Sequence, residues 1–477
     1  MSKNVLHRRL KARHIAMIAV GGSIGSGIFI ASGTAIHTAG PGGALLAYSL
    51  IGLMVYFLMT SLGEMATMLP STGSFCDYAS RFVDPAFGFA MSYNYWINWA
   101  ITTAVDLSAA ALIMHTWFPG VSFLSWTAIF FALIIVLNFV SVGLYGEMQY
   151  WFSGIKVAAV ILFILIGIFV ILGLLGHSGP VGFSNWTLGD APFHSGWVGF
   201  VSVLMIAGFS FQGTEIFGIT AGESHDPSVS IPRAVRNVFW RILLFYILSI
   251  AVISFLIPYN NSLLINASTT NLGASPFTIV FQMAGLRFAE TLMMIVVLLA
   301  ILSAANASMY TATRTLWHIA QEGLGPKFLA NTTKHGIPVA ALVFSSAITA
   351  IVFFSSIFGA GQFFVWLLNI SSLTGFIAWF GIALCHYRFR RAYLIQGRKL
   401  SDLTYYTKSF PFGPLFALCL SVLVVLGQQF EAFMTGSVNI NNLIGAYIGL
   451  PVFLAFYLGY KWVYRTKLIP LEKCRFN

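Results

Sequence analysis

Apolar residues in this chain come in long unbroken runs, not in alternation with polar ones. Runs of roughly 20 residues or more recur from end to end, the length needed to cross about 30 Å of hydrocarbon. The two-residue alternation of a membrane-barrel strand is missing. The pattern predicts an all-α membrane protein with twelve spans, at 14–37, 43–69, 87–116, 122–142, 150–176, 197–222, 237–258, 288–321, 337–358, 361–386, 412–431 and 442–464. The longest polar stretches, near 177–196 and 259–275, read as loops. No shift in composition marks a soluble domain, so residues 1–477 read as one transmembrane domain. Composition agrees with this picture. The chain is 58% hydrophobic and only 8% charged, with a mean hydropathy of +0.84, whereas soluble domains carry about 25% charged residues.

Charge then orients the spans. The net charge is +11, but the basic residues are not scattered. With the N-terminus placed inside, 23 of the 25 Lys and Arg residues fall in inside segments, and the two long outside loops hold none. Lys156 and Arg287 are the exceptions. This is the positive-inside asymmetry, and it places both termini on the cytoplasmic side of the membrane. The positive charge therefore matches anionic lipid headgroups and does not read as a nucleic-acid patch. The basic start, from His7 to Arg13, runs into an apolar segment with no small-residue cleavage site, so the first span is expected to be retained. Cys76, Cys385, Cys419 and Cys474 show neither paired nor metal-like spacing. The scattered histidines, such as His14, His318 and His386, lack metal spacing too and read as residues of cytoplasmic helix ends. No metal, cofactor or enzymatic chemistry is indicated.

Two spans carry breaks. Span 1 contains Gly21-Gly22-Ser23-Ile24-Gly25-Ser26-Gly27, and span 6 contains Gly208-Phe209-Ser210-Phe211-Gln212-Gly213-Thr214-Glu215. Glycine costs about 1 kcal/mol against alanine inside a helix, so four in seven positions make unwinding easy. Unwound backbone inside the bilayer needs polar partners that lipid cannot supply. A bound zwitterion can supply them: free amides at the start of a half-helix face a carboxylate, and free carbonyls face an ammonium. Paired interruptions in corresponding spans of two halves are the sequence mark of a transporter site. The alternative reading is close helix packing through small residues.

These residues resemble the amino acid–polyamine–organocation superfamily, and within it the bacterial amino acid permeases, those for lysine above all. The resemblance runs over essentially the whole chain. It is carried by Lys11-Ala12-Arg13-His14, the run Gly21 to Gly27, Ala39-Gly40-Pro41-Gly42-Gly43-Ala44, the run Gly52 to Glu64, Asn94-Tyr95-Trp96, the run Tyr150 to Val157, the run Gly208 to Glu215, Ile231-Pro232-Arg233-Ala234-Val235-Arg236 and the run Ser371 to Arg391. It implies a LeuT-type 5+5 inverted repeat with helices 1 and 6 broken. Residues 14–176 would form the first five-helix repeat, 197–386 the second, and 412–464 two additional helices. It also implies proton-coupled uptake of an amino acid. On the family pattern the amides of Ser26 and Gly27, beside Gly25, take the substrate carboxylate. Carbonyls near Ser23, Phe209 and Gln212 take the α-amine, with Phe211 and Gly213 in the same stretch, and Phe209 stands where relatives place an aromatic gate. The chain departs from the pattern in one place. No acidic residue lies between Asp226 and Glu290, where lysine-transporting relatives carry aspartates in the outer loop.

Ionisable groups within spans cost about 2.5–3.5 kcal/mol on insertion scales, so each is a functional candidate. Glu215, beside the second break, can hold the side-chain ammonium of a lysine or relay a proton; the alternative is an anchor for unwound backbone. Glu223 can serve the same substrate, or be a solvated helix end paired with Arg233 or Arg236. Asp106, mid-span, offers an anionic partner for a cationic substrate or a proton, or a plain interhelical hydrogen bond. Lys156 stands where the resemblance puts an amine in place of a sodium ion, and burial penalises its charged form, so that it can load and release a proton. Glu64 and Glu147 read as topology and gate residues. The expected function is an L-lysine:proton symporter working by alternating access. The alternatives are a permease for arginine, histidine or a neutral amino acid, or a lysine-binding membrane sensor with a regulatory membrane partner. A channel is disfavoured because no filter motif is present.

Overall fold

A computed structural model describes residues 24–71, 73–139, 142–176, 179–216, 227–262, 275–334, 336–436 and 439–476, with Met17, Gly218 and Leu264 as isolated positions. Among the described residues the regular structure is helical throughout, with no strand. The principal helices are α1 (Gly27–Met68), α2 (Phe75–Phe82), α3 (Pro85–Trp117), α4 (Phe123–Asn138), α5 (Val142–Ile171), α6 (Gly196–Phe211) and α7 (Ser228–Leu256). They are followed by α8 (Pro276–Met283), α9 (Arg287–Gln321), α10 (Val339–Phe358), α11 (Ala360–Ile395), α12 (Phe412–Gly427), α13 (Phe430–Thr435), α14 (Ile440–Tyr447) and α15 (Gly449–Tyr464). By length and composition seven of these can cross a membrane, and α14 with α15, bent by 49° at Ile448, makes an eighth span. The protein is an integral membrane protein. Three predicted spans appear as shorter apolar helices, α4, α6 and α12.

Residues 27–37 of predicted span 1 and all but the last residue of predicted span 2 lie in one helical tract interrupted at Gly40, which adopts φ +73° next to Pro41. The amides that follow the interruption need acceptors. Pro192 supplies one, its carbonyl accepting from Gly42 N at 2.9 Å and Gly43 N at 3.2 Å. A Cβ at Gly40 would stand 2.8 Å from that carbonyl oxygen, so both the backbone angle and the close approach require glycine here. The tract begins with a π turn, Gly27–Ala31, buried at every position. Two short helices were not anticipated: α2, in the connection between α1 and α3, and α8, after the second long loop. Asp84 caps α3, accepting from Ala86 N at 2.9 Å.

The core runs along α3, the most enclosed of the long helices. It packs against α9 and α11, and α1 packs along α6. At the basic end of the bundle, Glu64 of α1 meets Arg390 of α11 through two guanidinium N–H groups. The Thr407 amide also donates to Glu64, at 2.8 Å. His386, expected at an interface, is instead fully buried with Nε2 3.2 Å from the Glu64 carboxylate. Such a pair joins helices more than 300 residues apart in sequence. On α2, burial would raise the Asp77 carboxyl. The hydrogen bond and charge of His318, 3.3 Å away at the end of α9, outweigh it and hold the group below its ordinary value.

Removing one partner of a buried ion pair costs about 3–5 kcal/mol, because the other charge is left buried. Glu64→Ala is therefore expected to lower the thermal unfolding temperature of the detergent-solubilised protein clearly. An unchanged temperature would show that Arg390 finds another partner.

Candidate functional site

Polar residues recur every fourth position along α3: Asn94, Asn98, Thr102 and Asp106. That spacing stacks them on one helix face, and all four are buried. Two polar clusters gather along this stripe.

The first forms around Asp106. The Ser26 hydroxyl donates to Asp106 Oδ1 at 2.5 Å. Lys156 of α5 acts on Asp106 by charge. Ser26, Asp106 and Lys156 are each 2% exposed or less. The start of the π turn is held by close packing on both sides. Gly25 lies against Ala304 of α9, and a Cβ at Gly27 would come within 2.5 Å of the Ser210 Cα on α6. Ser210 is fixed in turn by the Tyr48 hydroxyl at 2.8 Å.

The second cluster gathers where α6 ends. The helix stops at Phe211, and Gln212 to Glu215 form a turn in which Gly213 has φ +91°. Glu215, 1% exposed, accepts from Gly213 N at 3.3 Å and from Trp379 Nε1 at 3.3 Å. The Tyr95 hydroxyl lies 3.5 Å away, and Arg241 acts on Glu215 by charge. The Gln212 side chain turns to α11, its Nε2 donating to the Ser371 carbonyl at 2.8 Å while its Oε1 accepts from the Ser371 hydroxyl at 3.2 Å. Ser371 also meets the Thr102 hydroxyl at 2.7 Å, and Thr374 donates to Asn98 Oδ1 at 2.9 Å. Gly375 makes room for this, since a Cβ there would lie 2.1 Å from Gln212 Nε2.

Of the predicted site residues, Ser26, Gly27 and Gly25 meet Asp106 and Lys156 or the helices beside them, and Gln212, Gly213 and Glu215 form the second cluster. Phe209 is 5% exposed. Phe211 points elsewhere, its ring 4.1 Å from that of Tyr246 and 6.0 Å from that of Tyr48. Ser23 and Glu223 lie outside the described residues. Tyr95, Asn98, Ser371, Thr374 and Trp379 share the clusters without having been singled out. The four-residue stripe on α3 was the available signal for Asn98. Nothing in sequence spacing brings Ser371 or Trp379 to that face. The two clusters sit at different levels: Tyr95 and Asp106 are eleven residues apart on α3, roughly 16 Å of helical rise. A cavity of about 190 Å³ is lined by other residues, Ala31 and Thr34 of α1, Met205 of α6 and Phe364 of α11 among them, and by no residue of either cluster.

The amino acid permease family pattern matches residues 14–471. The chain belongs to the amino acid permease family. It is 50% identical to a lysine-specific permease of Escherichia coli over 99% of this chain and 96% of that one. It is equally 50% identical to a histidine permease of Lactococcus lactis, over 99% and 98% of the two chains, and to a lysine-specific permease of the same organism, over 98% and 92%. Family membership makes this permease a transporter of amino acids within the same superfamily, not an enzyme. The fold resembles that of an Eremococcus coleocola manganese transporter, with a TM-score of 0.52, 14% identity and coverage of 95% and 94%. It also resembles a Na+-coupled sialic acid symporter, with a TM-score of 0.55, 13% identity and coverage of 89% and 90%. At these identities the likeness is one of fold.

The contact at Gly27 is with backbone, which cannot swing aside. Gly27→Ala is expected to cut amino acid uptake at least tenfold while the permease still reaches the membrane. Uptake at the parental rate would show that the π turn and α6 have room to separate.

Proposed function

We propose that this permease takes up L-lysine together with a proton across the bacterial inner membrane, by alternating access in a LeuT-type 5+5 arrangement of twelve spans with both termini in the cytoplasm. The observation that carries the cargo reading is Glu215, a buried carboxylate beside the turn that ends α6. A cation in a dry site needs such a partner. The half-identity to two lysine-specific permeases supports it. In this reading the amides of Ser26 and Gly27 hold the substrate carboxylate, carbonyls at Phe209 and Gln212 hold the α-amine, and Glu215 holds the side-chain ammonium. Glu223 stays a candidate for the inward end of the path. Asp106 accepts from Ser26 and feels the charge of Lys156, which fits it for handling a proton rather than for gripping an ammonium. Lys156 then takes part in coupling uptake to the proton gradient.

The energetics favour this symport. One charge crossing 100 mV gains about 2.3 kcal/mol, so lysine with one proton gains about 4.6 kcal/mol, over three decades of accumulation. A second reading is histidine, because the histidine permease of Lactococcus lactis is as similar as the lysine permeases. Imidazolium would meet Glu215 by the same charge logic.

A binding screen of the twenty amino acids against the purified permease separates these readings. Lysine is expected to bind most tightly; tighter histidine, or displacement of lysine by neutral amino acids, would overturn the lysine assignment. Glu215→Gln is expected to lower lysine uptake by two orders of magnitude or more with the protein still in the membrane, and full activity would remove Glu215 from the site. Lys156→Ala is expected to leave uptake unresponsive to an imposed pH gradient, a result read in vesicles with and without the gradient.

A further inference from the structure

The donors that the proposed site offers to a substrate carboxylate are not idle in this structure. Ser26, one of them, gives its hydroxyl to Asp106 Oδ1 at 2.5 Å. We infer that Asp106 and the substrate carboxylate compete for the Ser26 hydroxyl, and that a proton on Asp106 is what yields it to the substrate. The inference rests on the proposed amino acid site, but not on lysine being the cargo.

Charge balance supports it. Asp106 as a carboxylate sets one anion against the Lys156 ammonium and the positive end of the π turn. A second carboxylate in the same buried space would put two anions against one cation, and like charges held close disfavour the charged form of one of them. A proton landing on an Asp106 oxygen resolves this. The protonated group no longer holds the Ser26 hydroxyl proton, and it gains an O–H that can donate to the Ser26 hydroxyl oxygen. The Ser26 hydroxyl proton is then free to turn to the substrate, whose carboxylate takes over as counter-charge to Lys156. One proton and one carboxylate enter this cluster together, so the charge balance around Lys156 is unchanged, while the substrate ammonium lies toward the carbonyls at Phe209 and Gln212. When the substrate leaves, Asp106 gives up its proton and reclaims Ser26. Among the described residues the titratable group acting on Asp106 is Lys156 on α5; no described titratable group of α9 or α11 is among its partners. Linkage is reciprocal, so the substrate raises proton affinity by the factor by which the proton raises substrate affinity. Ser26 is thus a positioning residue that reports the state of Asp106 to the substrate site.

Calorimetry of L-lysine binding to the purified permease, in buffers of different ionisation enthalpy, tests this. The parent is expected to take up close to one proton per lysine bound, with Kd rising about tenfold per pH unit on the alkaline side. Asp106→Asn is expected to bind lysine with close to no proton uptake and no such rise. Infrared difference spectra of the parent on lysine addition are expected to gain a protonated carboxylic acid band, which needs no variant to fold. Parental proton uptake in Asp106→Asn, no uptake in the parent, or no new band in the parent would each overturn the inference. If lysine does not bind, the lysine reading fails, and the amino acid that binds best in the screen takes its place in these same measurements.

Discussion

A buried carboxylate and a buried amine that act on each other by charge, with a serine hydroxyl on the carboxylate, set the terms for the rest of this molecule. Neither Asp106 nor Lys156 could be placed alone at this depth without a penalty of several kcal/mol. The Ser26 hydroxyl ties α3 to the start of the π turn of α1. The π turn can approach α6 at Ser210 only because Gly27 has no side chain. That approach brings the two glycine-rich segments, far apart in sequence, to a common place beside the polar stripe of α3. The turn that follows α6 then meets α11 through Gln212 and Ser371.

In the proposed mechanism this arrangement separates two tasks along one helix. At the level of Asp106 the chemistry suits a carboxylate and a proton, since the charge of Lys156 and the Ser26 hydroxyl both act on Asp106 there. At the level of Tyr95 it suits a cation, since Glu215 faces that level. Between them Asn98, Thr102, Ser371 and Thr374 form an uncharged network that links α3 and α11. In the proposed mechanism this network is where the substrate backbone and the broken helix must be kept in register. The Glu64–Arg390 pair does a different job, joining α1 and α11 at the far end of the bundle.

The membrane class and the family were legible in the chain, because long apolar runs and glycine clusters are local features. Ser26, Asp106 and Lys156 could each be named from the sequence, since a charge in an apolar run stands out. Their meeting could not be read there. Asp106 was open to a substrate cation, a proton or an interhelical hydrogen bond, and the structure shows the hydrogen bond from Ser26. The partners of Glu64 were hidden for the same reason. His386 looked like an interfacial residue because it precedes a basic run, yet it is fully buried against Glu64. Serine, threonine and asparagine in apolar helices are common, so Ser371 and Thr374 carried no signal of their own. Phe211 sits in a site-like motif, but helical geometry sends its ring to Tyr246.

The most direct test of the account is a structure of the permease determined with its amino acid bound. The account predicts the substrate carboxylate on the amides of Ser26 and Gly27, with the Ser26 hydroxyl no longer donating to Asp106. A bound substrate with the Ser26 hydroxyl still donating to the Asp106 carboxylate would contradict it.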